Sequence, residues 1–539
     1  MPDLTGTGLA SDAGPGNCNL AEPLFQHSLQ NPGSPALVLE DQVYSYAELA
    51  ALAARVAGWI VANTPAGARR IHVGIIASRS LGAYAGILGA CWAGATYIPI
   101  NPKLPVTALR RILTIGEPAA LVVDAAGWAS LQHASLPDNI PILRFPAASD
   151  GSNPPSILEK APGISAPARF SGDQPAYIIF TSGTTGSPKG VIIRARSVRH
   201  FLDFGHDLYH LDVRDRVSNF SAVSFDFSVL DLWLAWDAGA SLHVVPERHL
   251  LAPSGFIQDH QLTFWASVPS VIVFMMRLNL LKEGSFPSLR HSYFCGEALP
   301  LTSALAWQRA APNSVIDNHY GPTEATVACS MVRLSDPPSL TPGRDILSIG
   351  KPYPGMQFGI LGPGNRFLPQ GEPGELAISG PQVAAGYLGA PEATQSRFVE
   401  IDHPESSPAI WYLTGDLAFE DAGGTFHHLG RMDNQVKVLG HRLELEEVDA
   451  HLREACECVS AATVAWPTQH GTASGLVAFI AGTALTPQEI MGRLKERLPE
   501  YALPREIVFL QELPLTANGK TDRAKLAATL ERKDRPHAD

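Results

Sequence analysis

The chain has 539 residues and a formal net charge of −12 at pH 7. Its length is too great for a single hydrophobic core and predicts two or more domains. Its acidity argues against general binding to nucleic acid or to anionic membrane surfaces, which are polyanions, so any nucleotide would be held by a local site.

The cysteines and the N-terminal segment favour a cytoplasmic protein. The six cysteines have neither the pattern of a disulfide framework nor zinc spacing, which favours reduced thiols. Residues 1–19 lack the basic and apolar regions of a signal peptide and are predicted to be a disordered tail. The sequence contains no run of 18 apolar residues, so no membrane-spanning helix is predicted.

An α/β unit is predicted after this tail. Apolar residues recur with a helical period between Tyr44 and Ala62, and residues 71–76 form a short apolar run typical of a buried strand. A second helix is expected at 80–93, with strands at 95–102 and 121–124. Residues 146–172 are rich in proline, serine, alanine and glycine and predict a linker.

A phosphate-binding loop is predicted at residues 177–191, YIIFTSGTTGSPKGV. A buried strand leads into small residues whose backbone N–H groups and hydroxyls can meet phosphate oxygens, and Lys189 adds a positive charge. The Walker pattern is absent because Ser187 and Pro188 separate Gly186 from Lys189. A glycine/serine linker is the alternative, but two apolar strands bracket the loop.

A single acid, Asp226, lies among apolar residues at 221–233. A buried carboxylate is costly unless it has a partner. It is either the N-cap of a helix that runs from Ser228 through Trp236, or a pocket anion that awaits a cation. On these residues alone the cap is favoured.

Strands and helices then alternate, as a parallel sheet requires. The strand at 291–297 ends at Glu297, and the strand at 315–324 carries Asn318 and ends at Glu324. Sheets of this class bind ligands at the carboxyl ends of their strands, so we expect a ligand site here.

The residue pattern of the chain changes near residue 350. Glycine and proline turns between short strands predict a small β-rich subdomain at 350–430, and the last hundred residues predict a small α+β domain. We therefore predict a tail at 1–19, a large core at 20–432, a small C-terminal domain at 433–530 and a charged tail at 531–539.

Seven motifs occur in order along nearly the whole chain. They are IPINP at 98–102, TSGTTGSPKG at 181–190, FD at 225–226, NHYGPTE at 318–324, YLTGD at 412–416, GRMDNQVK at 430–437 and NGK at 518–520. In these motifs the chain resembles the acyl-adenylate-forming superfamily, which includes amino-acid adenylation domains of nonribosomal peptide synthesis, acyl-CoA ligases and luciferases. The resemblance implies an α/β multidomain fold. Its large N-terminal domain has two α/β subdomains and a small β-rich subdomain, and its small α+β C-terminal domain is mobile.

The resemblance also implies a reaction that uses ATP and Mg²⁺. A substrate carboxylate attacks the α-phosphorus, pyrophosphate leaves, and positioned cations and dipoles stabilise the developing charge. The implied catalytic residues are Lys520, on the small domain, and Glu324, which also holds Mg²⁺; Asp433 is the implied hinge. Nucleotide contacts are implied for Thr181, Ser182, Gly183, Thr184, Thr185, Lys189, Gly296, Glu297, Ala298, Asn318, Tyr320, Thr323, Asp416 and Arg431. In this set Tyr320 would stack on adenine and Asp416 would accept from the ribose hydroxyls.

The family's substrate positions fall on Asp226, Phe227, Leu230, Ala266, Tyr293, Cys295, His319, Val327 and Ala328, together with Lys520. Members that activate amino acids bind the substrate ammonium with the acid at Asp226, which moves the interpretation of this residue from cap to ligand. The neighbouring apolar residues favour a small or medium apolar substrate.

Phe227 indicates which amino acid. An Asp-Phe pair resembles stand-alone enzymes that activate β-amino acids for macrolactam polyketides, in antibiotic biosynthesis. Phe227 as ordinary core packing is the alternative. His319 and Val327 are also similar to proline-activating pockets, so an α-amino or imino acid stays open. An acyl- or aryl-CoA ligase is less favoured because its substrate has no amine.

The second step implied is transfer of the acyl group to a phosphopantetheine thiol. No carrier sequence follows Lys520, so the expected acceptor is a separate acyl or peptidyl carrier protein, or coenzyme A. A non-catalytic binding protein on the same fold is a third hypothesis, which the intact loop, Glu324 and Asp416 disfavour.

Overall fold

The computed structural model of the chain describes residues 17–65, 71–134, 140–146, 155–183, 188–402, 408–438, 441–458, 460–469, 472–515 and 521–534. Three predicted site residues, Thr184, Thr185 and Lys520, lie outside the described residues.

The first part of the chain contains five helices and eight strands within the described ranges. They are α1 (Glu22–Gln30), β1 (Pro35–Leu39), β2 (Gln42–Ser45), α2 (Tyr46–Asn63), β3 (His72–Ile76), α3 (Leu81–Trp92), β4 (Thr96–Ile100), α4 (Val106–Gly116), β5 (Ala120–Val123), α5 (Ala125–Gln132), β6 (Ile142–Arg144), β7 (Pro175–Thr181) and β8 (Lys189–Arg194).

The middle of the chain continues the alternation of helices and strands. Its elements are α6 (Ala195–Tyr209), β9 (Arg216–Asn219), α7 (Phe227–Asp237), β10 (Ser241–Val244), α8 (Ser254–Asp259), β11 (Phe264–Ser267), α9 (Pro269–Arg277), β12 (His291–Phe294), α10 (Leu301–Ala310), β13 (Val315–Tyr320), β14 (Ser330–Arg333) and β15 (Lys351–Pro352).

The remaining elements are mostly strands. They are β16 (Gln357–Gly362), β17 (Arg366–Phe367), β18 (Gly374–Ser379), α11 (Pro391–Arg397), β19 (Phe398–Ile401), β20 (Ala409–Glu420), β21 (Phe426–Arg431), β22 (Gln435–Val438), β23 (His441–Glu444), α12 (Leu445–Cys456), β24 (Ser460–Ala465), β25 (Thr468–Gln469), β26 (Thr472–Ala473), β27 (Leu476–Ala481), α13 (Pro487–Lys495), β28 (Glu506–Phe509) and α14 (Arg523–Asp534). Short 3₁₀ turns lie at Ser156–Glu159, Glu247–His249, Thr323–Ala325 and Glu500–Ala502.

Two large sheets build the N-terminal part. One has the order β6-β5-β3-β4-β7-β8 and is parallel except for the β7–β8 pair. The other has the order β15-β14-β13-β12-β11-β9-β10-β1-β2, with a parallel centre from β13 to β1 and antiparallel edges. The parallel centres leave strand carboxyl ends at the edge where the polar motif residues lie.

The other sheets are smaller. β16 to β21 form an antiparallel sheet, which is the predicted β-rich subdomain. The C-terminal part combines a β23-β22-β26-β25 sheet and a β24-β27-β28 sheet with helices α12 to α14. The α/β architecture with a large N-terminal and a small C-terminal part is thus confirmed. No helix in the described ranges is long and apolar enough to cross a bilayer.

Helices α3 and α7 bind the two large sheets into one core. Every residue of α3 is buried, as are all but the last of α7, because both helices are mostly apolar, and the buried Asp231 of α7 accepts a hydrogen bond from Asn219. Trp233 on α7 donates its indole N–H to the hydroxyl of Tyr97 on β4 at 3.2 Å. This packing fixes the start of α7, where Asp226 and Phe227 lie.

The described residues of the predicted tail and linker make specific contacts with the core. In the predicted tail, Asn19 is buried and donates to the carbonyl oxygens of Cys91 and Ala168, both at 2.7 Å. In the predicted linker, the carbonyl of Ile164 accepts from the Trp92 indole at 2.9 Å. These polar anchors come from distant parts of the chain, which a local pattern does not contain.

Candidate active site

The carboxylate of Asp226 is buried at the start of α7. Asp226 occupies the N-cap position with helical dihedral angles, and its side chain makes no capping hydrogen bond. The capping interpretation is therefore wrong. The Thr323 side chain hydrogen bonds to the carboxylate, and in the described part of the chain no lysine or arginine forms an ion pair with it. Burial raises the pKa of Asp226 to about 6.

Three aromatic rings at the predicted substrate positions pack on one another. The rings of Phe227 and Tyr293 pack edge to face with centroids 5.5 Å apart, and Tyr293 stacks on His319 at 3.8 Å. The His319 ring is held between the hydroxyls of Tyr209 and Tyr353. Burial lowers the pKa of His319 well below its usual value, so this ring is a neutral part of the wall.

The other predicted substrate positions are also buried. Leu230, Ala266, Cys295, Val327 and Ala328 are each exposed by 4% or less. Ala266 on β11 is the register partner of Tyr293 on β12. Burial raises the pKa of the Cys295 thiol to about 12, so it is neutral. Apart from Asp226, this set is uncharged.

Glu324 follows β13 in a 3₁₀ turn and is almost fully buried. Its Oε1 accepts from the Tyr387 hydroxyl at 2.8 Å, and its Oε2 accepts from Arg442 Nη1 at 2.7 Å. Burial acts to raise the pKa of Glu324, but the Arg442 charge and the Tyr387 hydrogen bond outweigh it, so the pKa is lowered and the carboxylate is ionised.

Glu324 has the chemistry of a magnesium ligand. Mg²⁺ in nucleotide enzymes is bound by one or two carboxylates together with substrate phosphates. The residues that the structure describes contain no cluster of three or more acids, histidines or cysteines that could hold a metal ion. In this arrangement Arg442 occupies one oxygen of the Glu324 carboxylate.

The phosphate loop meets the small C-terminal part of the chain. The Ser182 hydroxyl donates to the backbone oxygen of Arg442 at 3.0 Å. The backbone N–H of Gly183 hydrogen bonds to Glu447, whose pKa burial raises to about 7. Lys189 lies over the Tyr387 ring, 5.5 Å from its centroid. Thr181 is the last residue of β7, and Ser182 and Gly183 follow it directly at the end of this strand.

Asp416 on β20 is the centre of a second polar cluster. Its Oδ1 accepts from Arg431 at 2.8 Å and from His428 at 3.2 Å, and its Oδ2 accepts from the Tyr320 hydroxyl. Burial acts to raise the pKa of Asp416, but the hydrogen bond and charge of His428, then Arg431, outweigh it and hold the pKa well below its usual range. The permanent anion suits hydroxyl donors.

Asn318 offers an acceptor beside this cluster. Its Nδ2 donates to the Ser348 carbonyl at 2.8 Å, whereas its buried Oδ1 has no hydrogen-bond partner among the described residues. An exocyclic amine such as that of adenine would satisfy it. The Gly296–Glu297–Ala298 turn follows β12, and Glu297 accepts from the backbone of Ser270 at 2.7 Å.

Two arginines lie against the carboxylate of Asp433, the predicted hinge. Arg431 donates to both of its oxygens, at 2.9 and 2.6 Å. Arg397 lies 3.7 Å from the same carboxylate. Arg431 thus joins the Asp416 cluster to the start of the C-terminal part.

The structure adds residues that the motifs did not assign to the site. His428 and Tyr387 contact two of the key acids, and Arg442 and Lys437 come from the small C-terminal part. The Lys437 charge acts on both Asp226 and Cys295. Lys437 lies inside the GRMDNQVK motif, so this motif could have indicated from the sequence that Lys437 is near the site.

Family models match most of the chain. Residues 24–388 match the AMP-binding enzyme family, and residues 447–520 match the AMP-binding enzyme C-terminal domain. The first match alone covers more than half of the chain.

Two curated relatives are similar over nearly all of this chain. A D-alanine–D-alanyl carrier protein ligase of Bacillus cereus (strain G9842) is 30% identical over 94% of this chain and 98% of its own length. A delta-poly-L-ornithine synthetase of Acinetobacter baumannii (strain AB307-0294) is 32% identical over 94% of this chain, which spans only 36% of that longer protein.

Solved structures share the whole fold. The Vibrio cholerae adenylation domain AlmE, in complex with glycyl-adenosine-5′-phosphate, is 30% identical with a TM-score of 0.82, over 97% of this chain and 100% of that one. IdnL7 is 34% identical with a TM-score of 0.70, over 96% and 100%. The chain therefore belongs to the AMP-binding enzyme family and is an ATP-dependent, adenylate-forming ligase of the adenylation-domain type, a class that uses ATP with Mg²⁺.

Proposed function

We propose that this ligase activates an amino acid, and that Asp226 binds its ammonium group. The observation that carries this proposal is a buried carboxylate that neither caps its helix nor has an ion-pair partner in the described part of the chain. A substrate ammonium would repay the cost of burying it. The names of the B. cereus ligase and of the AlmE complex, which refer to D-alanine and to a glycyl adenylate, support an amino acid substrate.

The proposed substrate is small or medium in size, apolar and a β-amino acid. The uncharged wall around Asp226 supports an apolar side chain. Phe227 supports the β-isomer, because its ring packs on Tyr293 beside the carboxylate and fills space there. Such an acid would suit a macrolactam polyketide, as the resemblance of the Asp-Phe pair implies. The second candidate is an α-amino or imino acid, which the two relatives named for α-amino acids favour.

The chemistry proposed for the first step uses groups on both sides of the site. Asp226 orients the amino acid so that its carboxylate faces the α-phosphorus of ATP. Lys189, Ser182 and Gly183 would hold the leaving pyrophosphate, and Glu324 would hold the Mg²⁺ that neutralises it. Lys520 remains predicted to contact the reacting carboxylate and the α-phosphate.

The adenosine part of ATP would bind at the Asp416 cluster. Asp416 would accept from the ribose hydroxyls, Tyr320 would stack on adenine and Asn318 Oδ1 would accept from its amine. In the observed arrangement Tyr320 and Arg431 already contact Asp416, so these donors would share it with the ribose.

ATP and the small C-terminal part compete for the same groups. Arg442 pairs with the proposed magnesium ligand, and Glu447 lies on the N–H of Gly183. We infer that this part moves about Asp433 to admit ATP, and returns after pyrophosphate leaves. The second proposed step is then attack by the phosphopantetheine thiol of a carrier protein on the acyl-adenylate, which releases AMP. The carrier protein in the B. cereus relative's name supports this acceptor.

The experiment that tests the substrate class is amino-acid-dependent exchange of pyrophosphate into ATP. Paired α- and β-isomers of small apolar amino acids are compared, each with its counterpart that lacks the amine. The proposal predicts exchange with the amines, highest for β-isomers. Preference for α-isomers would overturn the role given to Phe227, and equal exchange with acids that lack the amine would overturn the role given to Asp226.

A further inference from the structure

The turn between Glu324 and the substrate wall has an unfavourable backbone. Thr326 and Val327 are consecutive β-branched residues at φ angles of 57° and 69°, in the left-handed region. Both are buried. Such residues hold this conformation only where the surroundings enforce it. Val327 and Ala328, in and after this turn, are two of the substrate positions proposed above.

Gln382 supplies that enforcement from another part of the chain. It is fully buried, and its side-chain nitrogen donates to three backbone carbonyls of this turn. The acceptors are the oxygens of Ala325 at 3.1 Å, Thr326 at 3.3 Å and Ala328 at 2.7 Å. In return, the Thr326 hydroxyl donates to the Gln382 carbonyl at 2.6 Å.

His200 on α6 determines which way the Gln382 amide faces. Its Nδ1 lies 3.0 Å from Gln382 Oε1, which can only accept, so the ring nitrogen donates. With the oxygen held by His200, the amide nitrogen is directed at the turn. A methionine here would leave three buried carbonyls without this donor, and a glutamate would place an acceptor against them.

We propose that Gln382 is a positioning residue that sets amino acid selectivity by holding the left-handed turn and, through it, the side chain of Val327. Among the described residues, its side chain hydrogen bonds to this turn and to His200 and to none of the predicted nucleotide contacts, so we expect its effect to fall on the amino acid rather than on ATP. This inference rests on the proposed function only in that Val327 and Ala328 line the acid-binding pocket.

The test compares Gln382→Met and Gln382→Glu with the wild type in pyrophosphate exchange. The substrates are two homologous acids that differ by one methylene, with a panel of acids that lack the amine. One methylene is typically discriminated by about 10–200-fold, and we expect both variants to lower this ratio by about tenfold. The KM for the preferred acid should rise by about tenfold, whereas the KM for ATP should change by less than about twofold.

Two further variants separate positioning from a general loss of structure. Gln370→Met is the matched control, since Gln370 is exposed and its side chain donates to Glu420 at the surface, and it should match the wild type. His200→Ala keeps Gln382 but frees its oxygen, and should shift selectivity in the same direction by a smaller factor. If a Gln382 variant does not fold, His200→Ala tests the same inference.

Each outcome decides the inference. An unchanged methylene ratio in folded Gln382→Met, or an equal rise in KM for ATP and for the acid, would overturn it. Wild-type exchange with acids that lack the amine would instead overturn the amino acid proposal, while the methylene ratio would still report on Gln382.

Discussion

Arg442 and Glu324 form an ion pair of 2.7 Å that joins the small C-terminal part of the chain to the buried acid of the nucleotide site. The residues are 118 positions apart in sequence. The pair places a positive charge on an oxygen of the proposed magnesium ligand, which opposes binding of a cation to the same oxygen. The ion pair should therefore favour the second half of the reaction over the first.

Arg442→Ala should separate the two half-reactions. Loss of a charged hydrogen bond of about 1.5–3 kcal/mol should weaken the observed arrangement. We expect the KM for ATP in pyrophosphate exchange to fall and acyl transfer to a phosphopantetheine thiol to slow by about tenfold or more. The control is Arg493→Ala, which removes an exposed pair with Glu457. An equal loss in both half-reactions would contradict this role.

The activity should depend on pH through Asp226. An ammonium binds the ionised carboxylate, and burial raises the pKa of Asp226 to about 6. The kcat/KM for the amino acid should therefore fall about tenfold per pH unit below that value. Glu447 and Asp449 also have raised pKa values in this range, at about 7 and about 6, so Glu447→Gln and Asp449→Asn should each leave the limb near pH 6 in place. A flat profile from pH 5 to 8 would refute the assignment.

The same carboxylate should destabilise the empty enzyme at neutral pH. Its folded pKa lies above the unfolded value of 3.8, so the folded state binds more protons between these pKa values and stability falls as pH rises through them. The shift corresponds to about 3 kcal/mol at most. Asp226→Asn should raise the melting temperature at pH 7 more than at pH 4.5. Asp207→Asn, at an exposed site, is the control and should show no such difference.

Asp416→Asn should weaken ATP binding. The substitution removes a permanent anion from the proposed ribose site, and with it the negative charge that Arg431 and His428 contact. We expect the KM for ATP to rise about 10–100-fold, with a much smaller change for the amino acid. Asp421→Asn, in a turn where the acid contacts His427, is the matched control. A change confined to the amino acid KM would place the nucleotide elsewhere.

The local parts of the fold and site could be predicted from the sequence. Short apolar runs marked the parallel strands, and the apolar period marked α2, because these patterns depend on neighbouring residues. The polar strand ends predicted Asn318 and Glu324 as candidate site residues for the same reason, and the structure places Asn318 in β13 and Glu324 in the turn that follows it.

Contacts between distant segments could not be predicted in this way. The choice between cap and pocket for Asp226 depends on its dihedral angles and on Thr323, almost a hundred residues later. Arg442 on Glu324 and Gln382 on the turn at 325–328 are likewise set by tertiary packing. The same is true of the polar anchors that order Asn19 and Ile164.

The most direct test of the central claim is pyrophosphate exchange by wild type and Asp226→Ala, with the preferred amino acid and with the same acid lacking its amine. We expect wild-type exchange that depends on the amine, and a loss of about 100-fold or more with the amino acid in Asp226→Ala, because the ammonium would be buried without a counter-ion. Exchange that survives this substitution undiminished would contradict the claim that Asp226 binds the substrate.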